Sequence, residues 1–283
     1  MSASLTPNIS KFGEEFDARK SSQYRLTIQF ALDGLSYALL DTENHRLIAL
    51  ESYQSDLLTE SNNLFRCSEQ ALESKGLNNK VFHSVSCIVD NRTNTLVPIP
   101  FFNETDQEQY LDFVFQRSNL QTVQANRLDT VGCYNVFAWS KSLKDKVLSK
   151  WKHAEIIHST SVFINNVMKH TDDQGVFVNV RNADFDMVIK KEGKLQFFNN
   201  FRFNTKDDFA YFLLFAMEQN GLSGQNISVT FSGLILPSSE IIGLCKRYVR
   251  EIRFAEDPHT IQVSPILNDV PFHYYFIHYQ ALR

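Results

Sequence analysis

The sequence is poor in glycine and cysteine, and each shortage excludes a class of protein. Only 10 of its 283 residues are glycine, and the phosphate loop GxxxxGK[ST] is absent. Loops that hold nucleotide phosphates need glycine, because a side chain keeps the backbone too far from the anion. The four cysteines are widely spaced and form no CxxC pair. We therefore expect neither a zinc site nor a disulfide framework, and the free thiols suit a reducing compartment.

Long apolar runs and an excess of basic residues are also missing. The N-terminus, MSASLTPNISKFGEEFDARK, lacks the apolar core of a secretory signal. No stretch approaches the roughly 20 apolar residues of a membrane-spanning helix. A net charge of −4 and a pI near 6.1 give no electrostatic reason to bind nucleic acid. We expect a cytoplasmic protein that neither inserts into a membrane nor binds nucleic acid.

An internal duplication is the most informative feature that the sequence does have. In residues 26–53, apolar and polar residues alternate through three short runs that are separated by turns. Residues 176–201 repeat this pattern, and Val176 stands 150 positions after Leu26. Each segment is followed by a pattern typical of an apolar helix and then by another strand pattern. The duplication predicts an α/β protein with two lobes, each a mixed sheet flanked by helices.

The lobes are predicted at 24–172 and 173–283, after an N-terminal leader at 1–23. Residues 91–135 depart from the repeat and are interpreted as an insertion in the first lobe, where Pro98 argues against a central strand.

Two capping boxes mark predicted helix starts. Thr105-x-x-Glu108 predicts a helix within the insertion, and Thr205-x-x-Asp208 predicts one in the second lobe. The aromatic tail 271–282 predicts a final helix.

The order strand-strand-strand-helix-strand-helix-strand-helix, met twice, is similar to the ribonuclease-H-like fold duplicated in the actin and sugar kinase superfamily. Three passages carry the resemblance: LTIQFALDGLSYALL, LVPIPFF followed by a capped helix, and VFVNVRNADFDMVI. Within the superfamily, the chain looks closest to a Bacteroidetes family described as a domain of unknown function (DUF3822). That family resembles the actin-like ATPases of type IV pilus assembly. The likeness covers most of residues 24–283.

The resemblance implies a place for a nucleotide. In ATP-binding members, a first hairpin reading Asp-x-Gly-x-x-x-Thr/Ser contacts the phosphates and helps to hold magnesium. A similar hairpin opens the second half, and a Gly-Gly turn approaches the adenosine. Carried over to this chain, the resemblance implies Mg-ATP between the lobes, beside Asp33, Gly34, Ser36, Asp184, Ser232 and Gly233.

This chain departs from the family pattern at all three places. Asp33 and Gly34 are adjacent, residues 182–185 contain no glycine, and Ser232-Gly233 keeps one glycine of the pair. A side chain at the closest points blocks the approach of phosphate to backbone N–H groups. We therefore expect a degenerate site without a cofactor, in a non-catalytic interaction or scaffold module with an unknown protein partner. An actin-like ATPase is the alternative, and homo-oligomers are compatible with either.

A metal-dependent nuclease of the ribonuclease-H type is a third hypothesis. Asp33, Asp90 and a helix carboxylate, Glu69 or Glu73, resemble a cluster that holds two magnesium ions about 4 Å apart. Asp33-Gly34 and Asp90-Asn91 are also ordinary turn residues. No basic surface is evident to hold a polyanion.

Two aromatic regions leave further alternatives open. His273 and His278 stand five positions apart, whereas metal-binding histidine pairs on a helix favour a spacing of four, so we interpret both as packing residues. Phe101 and Phe102, beside Pro98 and Pro100, either tuck into a core or form an exposed anchor for a partner.

Overall fold

The computed structural model describes most of the chain, and the described part falls into two compact units. The described residues are 6–32, 34–55, 61–256 and 261–282. The first unit contains those up to residue 161 together with 261–269 and 281–282, and the second contains 162–256 and 270–280. The sequence predicted a division at residues 172 and 173, whereas the units divide inside a helix that starts at Ser159.

The described residues form groups of consecutive strands that are separated by helices. The strands are β1 (Ile9–Phe12), β2 (Tyr24–Ala31), β3 (Gly34–Asp41), β4 (Arg46–Gln54), β5 (Ser84–Asp90), β6 (Asn94–Pro98), β7 (Gln121–Leu128), β8 (Cys133–Ser140), β9 (Glu155–His158), β10 (Gly175–Val180), β11 (Asp184–Lys191), β12 (Lys194–Arg202), β13 (Ser228–Gly233), β14 (Glu251–Phe254) and β15 (Gln262–Val263). The helices are α1 (Ser61–Ser74), α2 (Gln107–Asp112), α3 (Lys141–Lys150), α4 (Ser159–Lys169), α5 (Lys206–Gln219), α6 (Glu240–Cys245) and α7 (Phe276–Ala281). Among the described residues, no helix combines the length and the hydropathy needed to traverse a bilayer.

The main sheet of the first unit joins an antiparallel meander to two parallel strands. Its order is β1-β4-β3-β2-β5-β9, and β15 also pairs with β4. β2, β3 and β4 run antiparallel to one another, whereas β5 is parallel to β2 and β9 is parallel to β5. One face of β2 carries Leu26, Ile28 and Phe30 into the core. This is the face that the alternating pattern predicted.

The sheet of the second unit repeats the topology of the five strands β4-β3-β2-β5-β9. Its order is β12-β11-β10-β13-β14, with β10, β11 and β12 antiparallel and β13 and β14 parallel. The registers also agree: Gln29 of β2 faces Ile88 of β5, and Asn179 of β10 faces Ser232 of β13. Gln29 and Asn179 stand 150 positions apart, which is the shift seen in the sequence. The predicted duplication is confirmed.

The insertion forms a small sheet of its own in the first unit. Its order is β6-β8-β7, and Val97, Leu111 and Val136 form the centre of its core. Pro98 ends β6, an edge strand, where its missing N–H costs no ladder hydrogen bond.

One of the two predicted capping boxes forms and the other does not. In the second unit, Thr205 Oγ1 accepts from Asp208 N at 3.1 Å, and Asp208 Oδ2 accepts from Thr205 N at 3.0 Å. In the insertion, Asn103 Oδ1 instead accepts from Thr105 N at 3.1 Å, so a 3-10 turn comes first and α2 begins at Gln107. The Thr105 box was wrong because the preceding asparagine takes the capping role.

The predicted leader contributes a strand. Residues 9–12 form β1, which pairs antiparallel with the outer side of β4. The buried carboxylate of Glu51 on β4 accepts from Ser10 Oγ at 2.7 Å and from Tyr37 Oη, and Lys75 Nζ lies 3.3 Å away. These contacts hold the segment against the sheet.

Both tail histidines are buried in the second unit. The final helix predicted over residues 271–282 forms as a 3-10 turn at Phe272–Tyr275 followed by α7. His273 Nε2 lies 2.9 Å from Ile235 O, and burial lowers its pKa. Burial also lowers the pKa of His278, to about 3.

The burial of His278 makes stability depend on pH. The unfolded chain binds a proton at the ordinary pKa near 6.5, whereas the folded chain holds the imidazole neutral down to about 3. Stability is therefore lost as the pH falls below 6.5, by about 2 kcal/mol at pH 5. Urea unfolding at pH 7.5 and 5 should show that His278→Leu loses about 2 kcal/mol less than the wild type between these two values. Equal losses would contradict the assignment.

Candidate functional site

The glycine and serine of the first predicted hairpin serve the sheet itself. Asp33 lies outside the described residues. Gly34 opens β3 opposite Gln54, and a Cβ there would lie 2.8 Å from Tyr53 O. Ser36 is buried in the middle of the strands, facing Gln29 on one side. Gly34 is therefore required by the neighbouring strand, whatever else approaches it.

A buried carboxylate ends the parallel strand β5. Asp90 Oδ2 accepts from Gln29 Nε2 at 2.7 Å, and Asp90 Oδ1 accepts from Ser159 Oγ at 2.6 Å. Gln29 lies two residues before the end of β2 and Ser159 opens α4, so the carboxylate joins two strands and a helix. The arrangement satisfies both oxygens with neutral donors.

The helix carboxylates of the nuclease hypothesis, Glu69 and Glu73, do not join Asp90 in a metal site. Glu69 Oε1 accepts from Lys150 Nζ at 3.0 Å, and Glu73 is exposed on α1. Over the described ranges, which omit Asp33, no group of three His, Cys, Asp or Glu side chains is placed to hold a metal ion.

Arg181 organises the corresponding end of the second unit. It lies in the turn between β10 and β11, and its Nε donates to Asp184 Oδ1 at 2.6 Å. Its two terminal nitrogens donate to the two oxygens of Asp186 at 3.0 and 2.9 Å. Asn200 Nδ2 on β12 donates to both carboxylates, at 3.1 and 3.0 Å. The Asp186 side chain is 0% exposed and that of Arg181 is 12% exposed.

The turn of this hairpin differs from a phosphate-binding nest. Arg181 N donates to Asp184 O at 2.9 Å, so this turn N–H is already used. None of the described residues 181–184 has a positive φ, so the turn lacks the alternation of left- and right-handed residues that forms an anion nest. The guanidinium of Arg181 is also engaged, by two carboxylates of its own chain.

Ser232 and Gly233 are engaged by the neighbouring strand β10. Ser232 Oγ donates to Asn179 Oδ1 at 3.0 Å. Gly233 has a φ of 84°, and a Cβ there would lie 2.1 Å from Val180 O. Leu234 N then donates to that same oxygen at 2.8 Å. The structure therefore gives this glycine a reason within the sheet.

The sequence reasoning missed Gln29, Asn179 and Arg181 at these strand ends. Gln29 and Asn179 occupy matching positions in the two sheets, and the shift of 150 would have identified them as a pair. Arg181 precedes Asp184 by three residues, and Asp184 and Asp186 alternate on one face of β11. That alternation was a signal that both carboxylates point towards a common partner.

Similarity to known proteins establishes the fold. The sequence model of the family described as Protein of unknown function (DUF3822) matches residues 13–252. A Bacteroides thetaiotaomicron protein with an actin-like ATPase fold and unknown function superposes with a TM-score of 0.75 at 17% identity, covering 85% of this chain and 93% of that one. A PilM-PilN type IV pilus biogenesis complex matches with a TM-score of 0.60 at 12% identity, covering 91% of this chain and 97% of that one. No curated protein is significantly similar in sequence. The predicted actin-like ATPase fold is confirmed.

Proposed function

The chain belongs to the DUF3822 family of proteins of unknown function, and we propose that it serves as a non-catalytic protein-interaction or scaffold module. In this proposal its actin-like ATPase fold has a degenerate nucleotide site. The observation that carries the proposal is the Arg181 network, which fills the second hairpin with the chain's own charges. The same arginine cannot neutralise phosphate while it neutralises two carboxylates.

A structural neighbour supports the interaction part of the proposal. The PilM-PilN complex pairs a protein of this fold with a protein partner. Fold likeness alone does not transfer a partner, so we propose the class of activity and leave the PilN partnership to that protein. We also propose a cytoplasmic location, because all four cysteines are free thiols.

The alternative is an actin-like ATPase that holds Mg-ATP between its two halves. It would use the residues that the family resemblance identified, which are Asp33, Gly34, Ser36, Asp184, Ser232 and Gly233. The protein would supply backbone donors and side-chain oxygens, and the nucleotide would supply the chemistry. The ion pair of Asp184 with Arg181 disfavours this alternative. Gly233 also has a reason within the sheet, because a Cβ there would lie 2.1 Å from Val180 O.

Thermal unfolding with nucleotide separates the two functions. With about 1 mM Mg-ATP, a site of micromolar affinity would add about 4 kcal/mol of stability and raise the Tm by several degrees. We expect a change of less than about 1 °C, measured by differential scanning fluorimetry. Magnesium tripolyphosphate is the control for unspecific anion effects. A rise with Mg-ATP that tripolyphosphate does not reproduce would overturn the proposed function.

A further inference from the structure

We propose that the outer edge of β12 binds an extended segment of another protein, one with an apolar centre and acidic ends, as an added β-strand. β12 is an edge strand of nine residues that pairs with β11. None of the other described strands pairs with it. The inference rests on the proposed interaction function and names its partner class.

The backbone of β12 presents hydrogen-bonding groups outwards. Phe203 N donates to Ala183 O on the β11 side at 3.1 Å. Because N–H and C=O groups alternate in direction along a strand, those of Phe198, Asn200 and Arg202 face away from β11. An exposed row of this kind is a template for another strand.

A side chain already occupies one of these outward donors. Asn199 Oδ1 accepts from Asn200 N at 2.9 Å. Asn199 is itself exposed, so its carbonyl can be displaced. It stands where the backbone carbonyl of an added strand would accept.

The first unit shows that this position in the fold accepts added strands. β4 has the same place in its sheet as β12 has in the second sheet. On its outer side β4 pairs antiparallel with β1 and parallel with β15. Both are short extended segments from distant parts of the chain. Strand addition at an edge is also a general mode of peptide recognition.

A ladder of aromatic rings leads from this edge onto α5. Phe197 stacks with Phe201, with ring centroids 6.4 Å apart, and Phe201 stacks with Phe212 at 5.4 Å. Tyr211 contacts Phe212 at 5.4 Å and stacks with Phe215 at 5.7 Å. Tyr211 is 59% exposed and Phe215 is 44% exposed. The exposed rings offer contacts for apolar side chains on one face of an added strand.

The charged residues along β12 favour a partner strand with acidic ends. Residues 194–206 include three basic residues and no acidic one. Lys206 pairs with Glu240 at 2.7 Å, whereas Lys194 and Arg202 are exposed at the two ends of β12. In an antiparallel pair of two β12 strands centred on Phe198, Lys194 would face Arg202. Like charges placed opposite each other are destabilising, so the edge favours a foreign strand with acidic ends over a second copy.

Selection of displayed random nonapeptides on the full chain tests the proposal. We expect the enriched peptides to alternate apolar and polar residues and to carry Asp or Glu near both ends. Measured by fluorescence anisotropy with synthetic versions, Lys194→Glu/Arg202→Glu should weaken binding at least about tenfold. The matched control Lys80→Glu/Lys152→Glu, at exposed lysines of the first unit, should leave the Kd unchanged.

Two further measurements test the strand and the rings. N-methylation of alternate peptide residues should abolish binding in one register and spare it in the other, because only one set of N–H groups faces β12. Tyr211→Ser/Phe215→Ser should also weaken binding. Because both side chains are exposed, the substitutions should leave the Tm unchanged. An unchanged Tm would show that the variant still folds.

Three results would overturn the proposal. Selection could enrich no peptide, or peptides whose Kd is unchanged in Lys194→Glu/Arg202→Glu. Peptides whose Kd is unchanged would bind at another surface, which would contradict the β12 site but not the proposed interaction function. A wild-type dimer that Lys194→Glu/Arg202→Glu alters would assign the edge to a second copy. The Mg-ATP measurement tests the proposed function independently of all three.

Discussion

Arg181→Met will lower the free energy of unfolding by about 3–5 kcal/mol, because it removes the counter-charge of a buried carboxylate. The Asp186 side chain is 0% exposed, and the guanidinium bonds to both of its oxygens. Asn200 would remain as a donor to Asp186, but an amide carries no charge to offset the carboxylate. Urea unfolding at neutral pH measures the change.

The charge on the carboxylates explains the loss, so removing that charge should restore stability. Arg181→Met/Asp184→Asn/Asp186→Asn should regain most of the lost free energy, since it buries no net charge. Arg127→Met is the matched control, because its ion pair with Asp129 is exposed and should contribute less than about 1 kcal/mol. A small loss in Arg181→Met would mean that the guanidinium is not needed by Asp186. It would then be available to an anionic ligand, and the ATPase alternative would gain support.

The sequence was sufficient for the repeated sheets because their signal is local. Leu26, Ile28 and Phe30 alternate with Thr27 and Gln29, and apolar residues recur at every second position from Val176 to Val180. A strand with one buried face cannot slip by one residue without turning that face outwards. Alternation therefore fixes both the strands and their orientation.

The added strands could not be predicted because their stability is not local. β15 has two residues, and β1 has four with no clear alternation. Ser10 reaches Glu51 across 41 positions of sequence. Such contacts exist only once β4 is in place, so no window of sequence around residues 9–12 carries them.

The contacts at the candidate site could not be predicted from the sequence. The resemblance pointed to the turn between β10 and β11, but the sequence could not show that Arg181 pairs with Asp184 and Asp186 there. The ATPase alternative would use Asp184 to line the nucleotide site, and the structure places this carboxylate against a guanidinium at 2.6 Å. An arginine pairs with the anion that lies nearest to its guanidinium, whether a carboxylate of the chain or a bound phosphate. That distance is set only when the sheet has folded.

Gly233→Ala will lower the free energy of unfolding by about 3 kcal/mol or more. The size of this loss distinguishes a glycine needed for packing from one needed for ligand binding. Two effects add at this position. A residue other than glycine at a φ of 84° is strained by about 1–2 kcal/mol. A methyl group would also lie 2.1 Å from Val180 O, which is backbone and cannot rotate away. The strands would have to separate, at the expense of the bond from Leu234 N to that oxygen.

Gly221→Ala isolates the first of these effects. Gly221 lies in the same unit with a φ of 69°, and nothing lies within 4 Å of the Cβ it would gain. It should therefore lose only about 1–2 kcal/mol in the same urea titration. Equal losses of unfolding free energy in the two variants would show that the approach of the added methyl group to Val180 O does not contribute. If Gly233 were instead needed to admit adenosine, Gly233→Ala would be as stable as Gly221→Ala but would no longer bind Mg-ATP.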